Sequence, residues 1–176
     1  VTPALASQLA RRVNGRAKKV ALTVDADDAT LDAILAALEP DILQLHGRET
    51  PARTAEIRAR ASLPIMKALG VSTADDLAAV AVYEPIADWL LFDAKPPKEA
   101  TRPGGNAFSF DWAILDAFPT RTPWLLSGGL DPDKGTEKLA RTGAPGVDVS
   151  SGVESAPGVK DEAKIRAFVA AARGLS

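Results

Sequence analysis

Six short apolar runs in this chain each end on polar residues beside small ones. These ends are Asp25-Ala26-Asp27-Asp28, His46-Gly47, Lys67-Ala68, Asp93-Ala94-Lys95, Ser127-Gly128-Gly129 and Ser150-Ser151-Gly152. Two of them suit phosphate. Gly128 and Gly129 let backbone N–H groups come close to a ligand, and Ser150, Ser151 and Gly152 repeat the device after the next run. The second loop, continuing into Val153 and Glu154, is expected to open a short extra helix, the arrangement barrel enzymes use for phosphate. Asp93 directly follows Trp89-Leu90-Leu91-Phe92. Apolar surroundings favour the protonated form of a carboxyl, so Asp93 reads as a proton donor. The stretch from Lys95 to Ser109, with Pro96-Pro97 and Gly104-Gly105-Asn106, reads as a functional lid.

The remaining strand-end residues are more ambiguous. His46 is the only histidine in the chain, so a metal centre built from several histidines is not expected. It suits a hydrogen-bonded position at the rim of a substrate site. Lys67 either meets a substrate phosphate or carboxylate, or pairs with a neighbouring carboxylate. Asp25, Asp27 and Asp28 are more simply a helix start rich in aspartate than a cation cluster.

These residues need elements to hold them in place. The apolar runs Val20–Val24, Ile42–Leu45, Ile65–Ala68, Trp89–Phe92, Trp124–Leu126 and Val147–Val149 read as parallel strands buried on both faces. Helical patterns lie between them at Leu31–Leu38, Ala52–Ala61, Ala74–Val82, Asp111–Phe118 and Asp133–Thr142. One more opens the chain at Pro3–Val13, and another runs from Asp161 to Ala172. Thr2-Pro3, Thr50-Pro51 and Asp131-Pro132 each set a capping side chain before a proline at the first helical position. Ser72 with Asp75 reads as a capping box. Strand and helix in strict alternation predict right-handed βαβ units, a parallel sheet and one domain over residues 1–176. The fold class is α/β. Six strands fall short of an eightfold barrel, which needs about 250 residues. The expectation is a (β/α)8 barrel lacking its first strand, first helix and second strand, shorter by about 45 residues at that repeat length.

Composition narrows the function classes. With 21 basic and 23 acidic residues the net charge is −2, and the basic residues are scattered, so neither nucleic acid nor an anionic membrane is an expected partner. No cysteine is present, which excludes disulfides, thiolate metal sites and thiol nucleophiles within these residues. No apolar run is long enough to span a membrane. No secretory leader is visible, and a cytoplasmic location is expected.

Taken in order, the motifs resemble those of the phosphoribosylanthranilate isomerase family. They are Leu43-Gln44-Leu45-His46-Gly47 with Glu49, Leu91-Phe92-Asp93-Ala94-Lys95, and Pro103-Gly104-Gly105-Asn106 with Phe110-Asp111-Trp112. Leu126-Ser127-Gly128-Gly129-Leu130 with Pro132 follows, and then Gly146-Val147-Asp148-Val149-Ser150-Ser151-Gly152-Val153-Glu154 with Gly158, Lys160 and Asp161. The last run is highly specific, and the likeness extends over essentially the whole chain.

The resemblance implies the third chemical stage of tryptophan synthesis. In that step N-(5-phosphoribosyl)anthranilate becomes 1-(2-carboxyphenylamino)-1-deoxyribulose 5-phosphate by an Amadori rearrangement, with no cofactor and no metal. A general acid protonates the furanose oxygen, the ring opens to a Schiff base, and a general base removes the C2 proton. By this likeness Asp93 is the acid. Gly128, Gly129, Ser150, Ser151 and Gly152 hold the phosphate, and Asp148 lies near the sugar hydroxyls. His46 and Lys67, read from their strand-end positions rather than from the likeness, are counted with the substrate-binding residues, their roles left open. A monomer or homodimer, adjacent to other enzymes of the pathway, is the expected state.

The family's base is a cysteine in a Lys-x-Cys-Gly motif, and an arginine meets the anthranilate carboxylate. Neither motif is found here, so negligible turnover is expected from these residues alone. Ala107 stands where glycine is common, and Lys134-Gly135 replaces a common Asn-Val. A glycine in that helix costs up to about 1 kcal/mol against alanine. Two other readings remain open: another sugar-phosphate barrel, similar to indoleglycerol-phosphate synthase, or a non-catalytic phosphate-ligand-binding relative.

Overall fold

The structure, a computed structural model, describes residues 1–95, 112–115, 120–132 and 142–174. The fold is α/β. Its main sheet has five strands hydrogen-bonded in chain order: β1 (Val20–Thr23), β2 (Ile42–Leu45), β3 (Ile65–Val71), β4 (Trp89–Ala94) and β5 (Trp124–Leu126). The chain forms two compact units, one of residues Val1–Ala68 with Tyr83–Trp89, the other of Leu69–Val82 with Leu90–Ser176.

The first unit is built on β1, β2 and the start of β3. β1 and β2 run parallel with Ala21 opposite Leu43 and Thr23 opposite Leu45, and β2 continues parallel to β3 with Leu43 opposite Ile65. Three helices accompany them: α1 (Pro3–Val13), α2 (Asp28–Leu38) and α3 (Pro51–Ala61). Each starts where the sequence supplies a side-chain acceptor. Thr2 caps Leu5 N–H, Asp27 caps Thr30 N–H and Thr50 caps Arg53 N–H, with proline at the first position of α1 and α3. The aspartate cluster is the start of α2, with Asp27 as its cap, and the bonds of Asp27 with Thr30 hold its carboxyl below the ordinary range. The core joins Ala21, Leu31, Leu43, Leu45, Ile57 and Ile65, so both faces of β2 are shielded from water.

The second unit holds the end of β3, together with β4 from Leu90 onward and β5. Leu90, Leu91 and Phe92 are fully buried and lie opposite Trp124, Leu125 and Leu126. The Phe92 and Trp124 rings meet at 5.3 Å between centroids with a 60° tilt, a favourable aromatic arrangement. The chain closes with a two-stranded antiparallel hairpin, β6 (Glu154–Ala156) and β7 (Val159–Lys160), then α5 (Glu162–Arg173), capped by Asp161.

The structure differs from the expectations at four places. The strand expected at Val147–Val149 is a single parallel bridge between Val147 and Leu126. Two ladder bonds form, Leu126 N–H to Gly146 O and Asp148 N–H to Leu126 O, and the chain then turns into the Ser150 loop. The helix expected at Ala74–Val82 begins as a 3-10 segment, Ala74–Ala79, and ends as one α-helical turn, α4 (Val80–Tyr83). Its capping box pairs Thr73 with Asp76, one residue beyond Ser72 and Asp75. At Asp111–Phe118 the described part, Trp112–Leu115, is a 3-10 turn. The antiparallel hairpin has no counterpart among the strands read from the sequence. The lid after Lys95, the Pro103–Asn106 motif, Ala107, and Lys134 and Gly135 with most of their helix lie outside the described residues. No described helix is long and apolar enough to cross a membrane.

Candidate active site

In the second unit the strand ends carry Asp93 and the two glycine loops. Asp93 is partly exposed at the penultimate position of β4, followed by buried Ala94. Its neighbour Lys95 does not pair with it. Lys95 Nζ reaches Asp76 Oδ1 at 2.9 Å, while the Lys95 N–H bonds to Val71 O at 3.0 Å.

Gly128 follows β5 with φ +92°, and a Cβ there would stand 2.6 Å from Ala94 Cβ and 2.7 Å from Ala94 N. Only glycine allows this approach, which lays the Ser127–Gly129 turn against the residue after Asp93. Ser127 is buried, and its hydroxyl donates to Asp148 Oδ2 at 2.9 Å while its N–H bonds to Phe92 O at 2.8 Å. The second loop packs as closely. A Cβ on Gly152 would stand 1.9 Å from Leu130 O, so Gly152 presses against the chain leaving the first loop. Where a short extra helix was expected after Ser150, Ser151–Val153 forms a single 3-10 turn of three residues. Contacts thus join Gly128 to Ala94, Ser127 to Asp148 and Gly152 to Leu130, so the two loops pack beside each other near the end of β4, where Asp93 lies.

His46 and Lys67 belong to the first unit. His46 is partly buried and shares a 2.9 Å hydrogen bond between its Nδ1 and Gln44 Nε2. Lys67 takes the second of its two sequence readings, pairing with a carboxylate. Its Nζ donates to Glu49 Oε2 at 3.1 Å and to the carbonyls of Leu45, Gly47 and Ala68 at 3.1, 2.9 and 3.0 Å. Both side chains are almost wholly buried, at 3% and 2% exposed. Glu49 also accepts N–H bonds from Asp25 at 2.9 Å and from Gly47 at 3.1 Å. The Tyr83 ring faces the Lys67 ammonium at 5.7 Å, and its hydroxyl donates to Glu49 O at 2.9 Å. Burial, and then the Glu49 charge, push the Tyr83 pKa above its ordinary value.

Sequence reasoning did not single out Tyr83, and it named Ser127, Glu49 and Lys160 only as members of motifs, without a role of their own. Ser127, at a strand end, and Glu49, two residues beyond Gly47, stood where a signal was readable. Among the described residues no group of three or more His, Cys, Asp or Glu side chains is placed to hold a metal ion.

A parallel α/β frame with its polar and glycine residues at the strand ends belongs to the class of β/α enzymes, barrel or open sheet. The family model described as N-(5'phosphoribosyl)anthranilate (PRA) isomerase matches residues 2–171. The N-(5'-phosphoribosyl)anthranilate isomerase of Rhodopseudomonas palustris (strain BisA53) is 58% identical over 168 residues, covering 96% of this chain and 77% of that one. The crystal structure of phosphoribosyl anthranilate isomerase from Thermotoga maritima superposes with a TM-score of 0.86 at 28% identity, covering 99% of this chain and 82% of that one. A structure of such an isomerase in complex with reduced 1-(o-carboxyphenylamino)-1-deoxyribulose 5-phosphate matches with a TM-score of 0.80 at 27% identity, covering 99% of this chain and 81% of that one. The chain belongs to the phosphoribosylanthranilate isomerase family, a family of isomerases with the (β/α)8-barrel fold.

Proposed function

We propose that these residues form the acid and phosphate-binding half of an enzyme for the Amadori rearrangement of N-(5-phosphoribosyl)anthranilate, in tryptophan biosynthesis. The observation that supports the reading is the close approach of Gly128 to Ala94, which lays the Ser127–Gly129 turn against the residue after Asp93. The 5'-phosphate is held by the backbone of Gly128, Gly129, Ser151 and Gly152 and by the serine hydroxyls. Asp148, fixed by Ser127, faces the sugar hydroxyls. Asp93 gives its proton to the furanose oxygen as the C1–O bond breaks, and the anilinic nitrogen supplies the electrons that make the Schiff base. Loss of the C2 proton then gives the enolamine, which tautomerises to the ketone, so the reaction needs no redox cofactor. His46 stands at the rim with Gln44, and Lys67 supports the loop at Gly47.

The 176 residues contain no cysteine, so on this reading they lack the family's base and turn over little by themselves. The reading also takes the chain as one barrel domain of a cytoplasmic monomer or homodimer.

The test follows the loss of anthranilate-adduct fluorescence. The chain alone should show negligible turnover, because removing one member of an acid–base pair costs on the order of 10²–10⁴ in rate. Joined to a strand ending in Lys-x-Cys-Gly, it should turn over. In that background Asp93→Asn should lose ~10²–10⁴ in turnover with substrate affinity largely kept. A near-normal rate for Asp93→Asn would remove Asp93 from the acid role, and brisk turnover by the chain alone would remove the need for the cysteine.

A further inference from the structure

A side chain from the closing hairpin reaches back to the Ser150–Gly152 loop. Lys160, on β7, sends its ammonium back ten positions to Ser150 O at 2.8 Å, with Ser150 Oγ at 3.4 Å. The same ammonium pairs with Glu154 Oε1 at 2.8 Å, and Glu154 and Lys160 are directly opposite each other in the hairpin register. Glu154 is anchored in turn. Its other carboxylate oxygen accepts Gly158 N–H at 3.0 Å and its carbonyl accepts Lys164 Nζ at 2.7 Å. Hairpin, glutamate and first turn of α5 therefore form one rigid support whose outgoing contact is the Ser150 carbonyl.

A trans peptide sets its N–H antiparallel to its C=O. Fixing Ser150 O on the Lys160 side therefore turns the Ser151 N–H to the opposite side. Val153 N–H also reaches Ser150 O, at 3.3 Å, but without the shorter Lys160 bond that contact alone resists rotation of the Ser150–Ser151 peptide. A carbonyl dipole facing an anion repels it. The pair is also poorly placed to add stability, since Lys160 and Glu154 are 47% and 16% exposed and such pairs are worth little.

We propose that Lys160 is a positioning residue for the phosphate loop: it fixes the Ser150–Ser151 peptide so that the Ser151 N–H, not the Ser150 carbonyl, faces the ligand phosphate. This rests on the assignment of Ser150–Gly152 to phosphate binding. Glu154 offsets the lysine charge, so the role is geometric rather than that of a counter-charge.

The experiment titrates the full chain calorimetrically with reduced 1-(o-carboxyphenylamino)-1-deoxyribulose 5-phosphate and with the same compound lacking its phosphate. The ratio of the two dissociation constants is the readout, because a purely structural role would move both alike. Lys160→Met should shrink the preference for the phosphorylated compound about tenfold, on the scale of one charge-assisted hydrogen bond. Lys160→Arg should largely restore it. Glu154→Gln, which loosens the hold on Lys160, should act in the same direction as Lys160→Met. A tighter grip on phosphate in Glu154→Gln would mean that Lys160 acts as a bare charge, and would overturn the positioning role. So would an unchanged ratio in Lys160→Met. If the unaltered chain itself shows no preference for the phosphorylated compound, the phosphate assignment fails first and Lys160 with it.

Discussion

Two corners of the molecule are assembled from the same three parts, a lysine ammonium, a glutamate carboxylate and a loop carbonyl. In the first unit Lys67 holds Gly47 O at 2.9 Å and Glu49 at 3.1 Å, with both side chains no more than 3% exposed. In the second unit Lys160 holds Ser150 O at 2.8 Å and Glu154 at 2.8 Å, with the lysine 47% exposed. The contact geometry is nearly the same and the surroundings are opposite. In the buried corner an orphaned charge has no water to turn to, so each partner is indispensable to the other. In the exposed corner water replaces either partner cheaply, and what the pair supplies is orientation. Burial, not bond length, decides which device stabilises the fold and which one shapes a site.

Breaking the buried corner should produce the largest effect. Lys67→Met leaves Glu49 charged and sealed from solvent, a change that typically costs about 3–5 kcal/mol. Urea unfolding of the variant should show this loss, and adding Glu49→Gln should recover part of it by removing the stranded charge. A single-variant cost below about 1 kcal/mol would place Lys67 in the same class as Lys160 and erase the contrast.

Gly152→Ala sharpens the comparison from the other side. Its methyl would meet Leu130 O head-on, and overpacking of this kind costs about 1–3 kcal/mol. The loops must part to admit it, so phosphate affinity should fall beyond the stability loss. If thermal unfolding and phosphate binding were both unaffected, the close packing of the two loops would have no consequence.

Local pattern made much of this legible. Short, largely apolar runs gave β2 and β5 with their observed ends, and β2, buried on both faces, leaves no ambiguity of period. Thr2 and Thr50 were readable as caps because a proline follows each. Where two adjacent residues fit one role, pattern was not enough. Asp75 and Asp76 both suit a capping box, and only the Asp76 carboxylate gathers the N–H groups of Ser72 and Thr73, at 2.9 and 3.0 Å. Val147–Val149 reads as a strand, but pairing stops once Asp148 turns to Ser127. The closing hairpin left a trace in Pro157-Gly158, a dipeptide that favours a turn, with Gly158 at φ +78°. Lys67 with Glu49 and Lys160 with Ser150 are 18 and 10 residues apart, and no local periodicity reports such contacts.

The smallest effect concerns a third lysine–carboxylate pair, Lys95 with Asp76, in the second unit. Lys95 is 54% exposed and Asp76 19%, so this pair lies on the solvent side of the comparison. The Lys95 ammonium first, and then the Ser72 and Thr73 donors, hold the Asp76 carboxyl far below its ordinary value near 3.8. A carboxyl depressed in the folded state stabilises it above the unfolded pKa, and that contribution drains away as the pH falls through 3.8 toward the folded value. Asp76→Asn should therefore be less stable than the unaltered chain at pH 6 by a surface-pair amount, up to about 1 kcal/mol. The two proteins should converge as the pH is lowered below 3.8. Thermal unfolding midpoints for both, measured from neutral to strongly acid pH, check this. A gap that stayed constant across that range would mean that the Asp76 charge does not anchor the Ser72–Thr73 turn and that shape alone holds it.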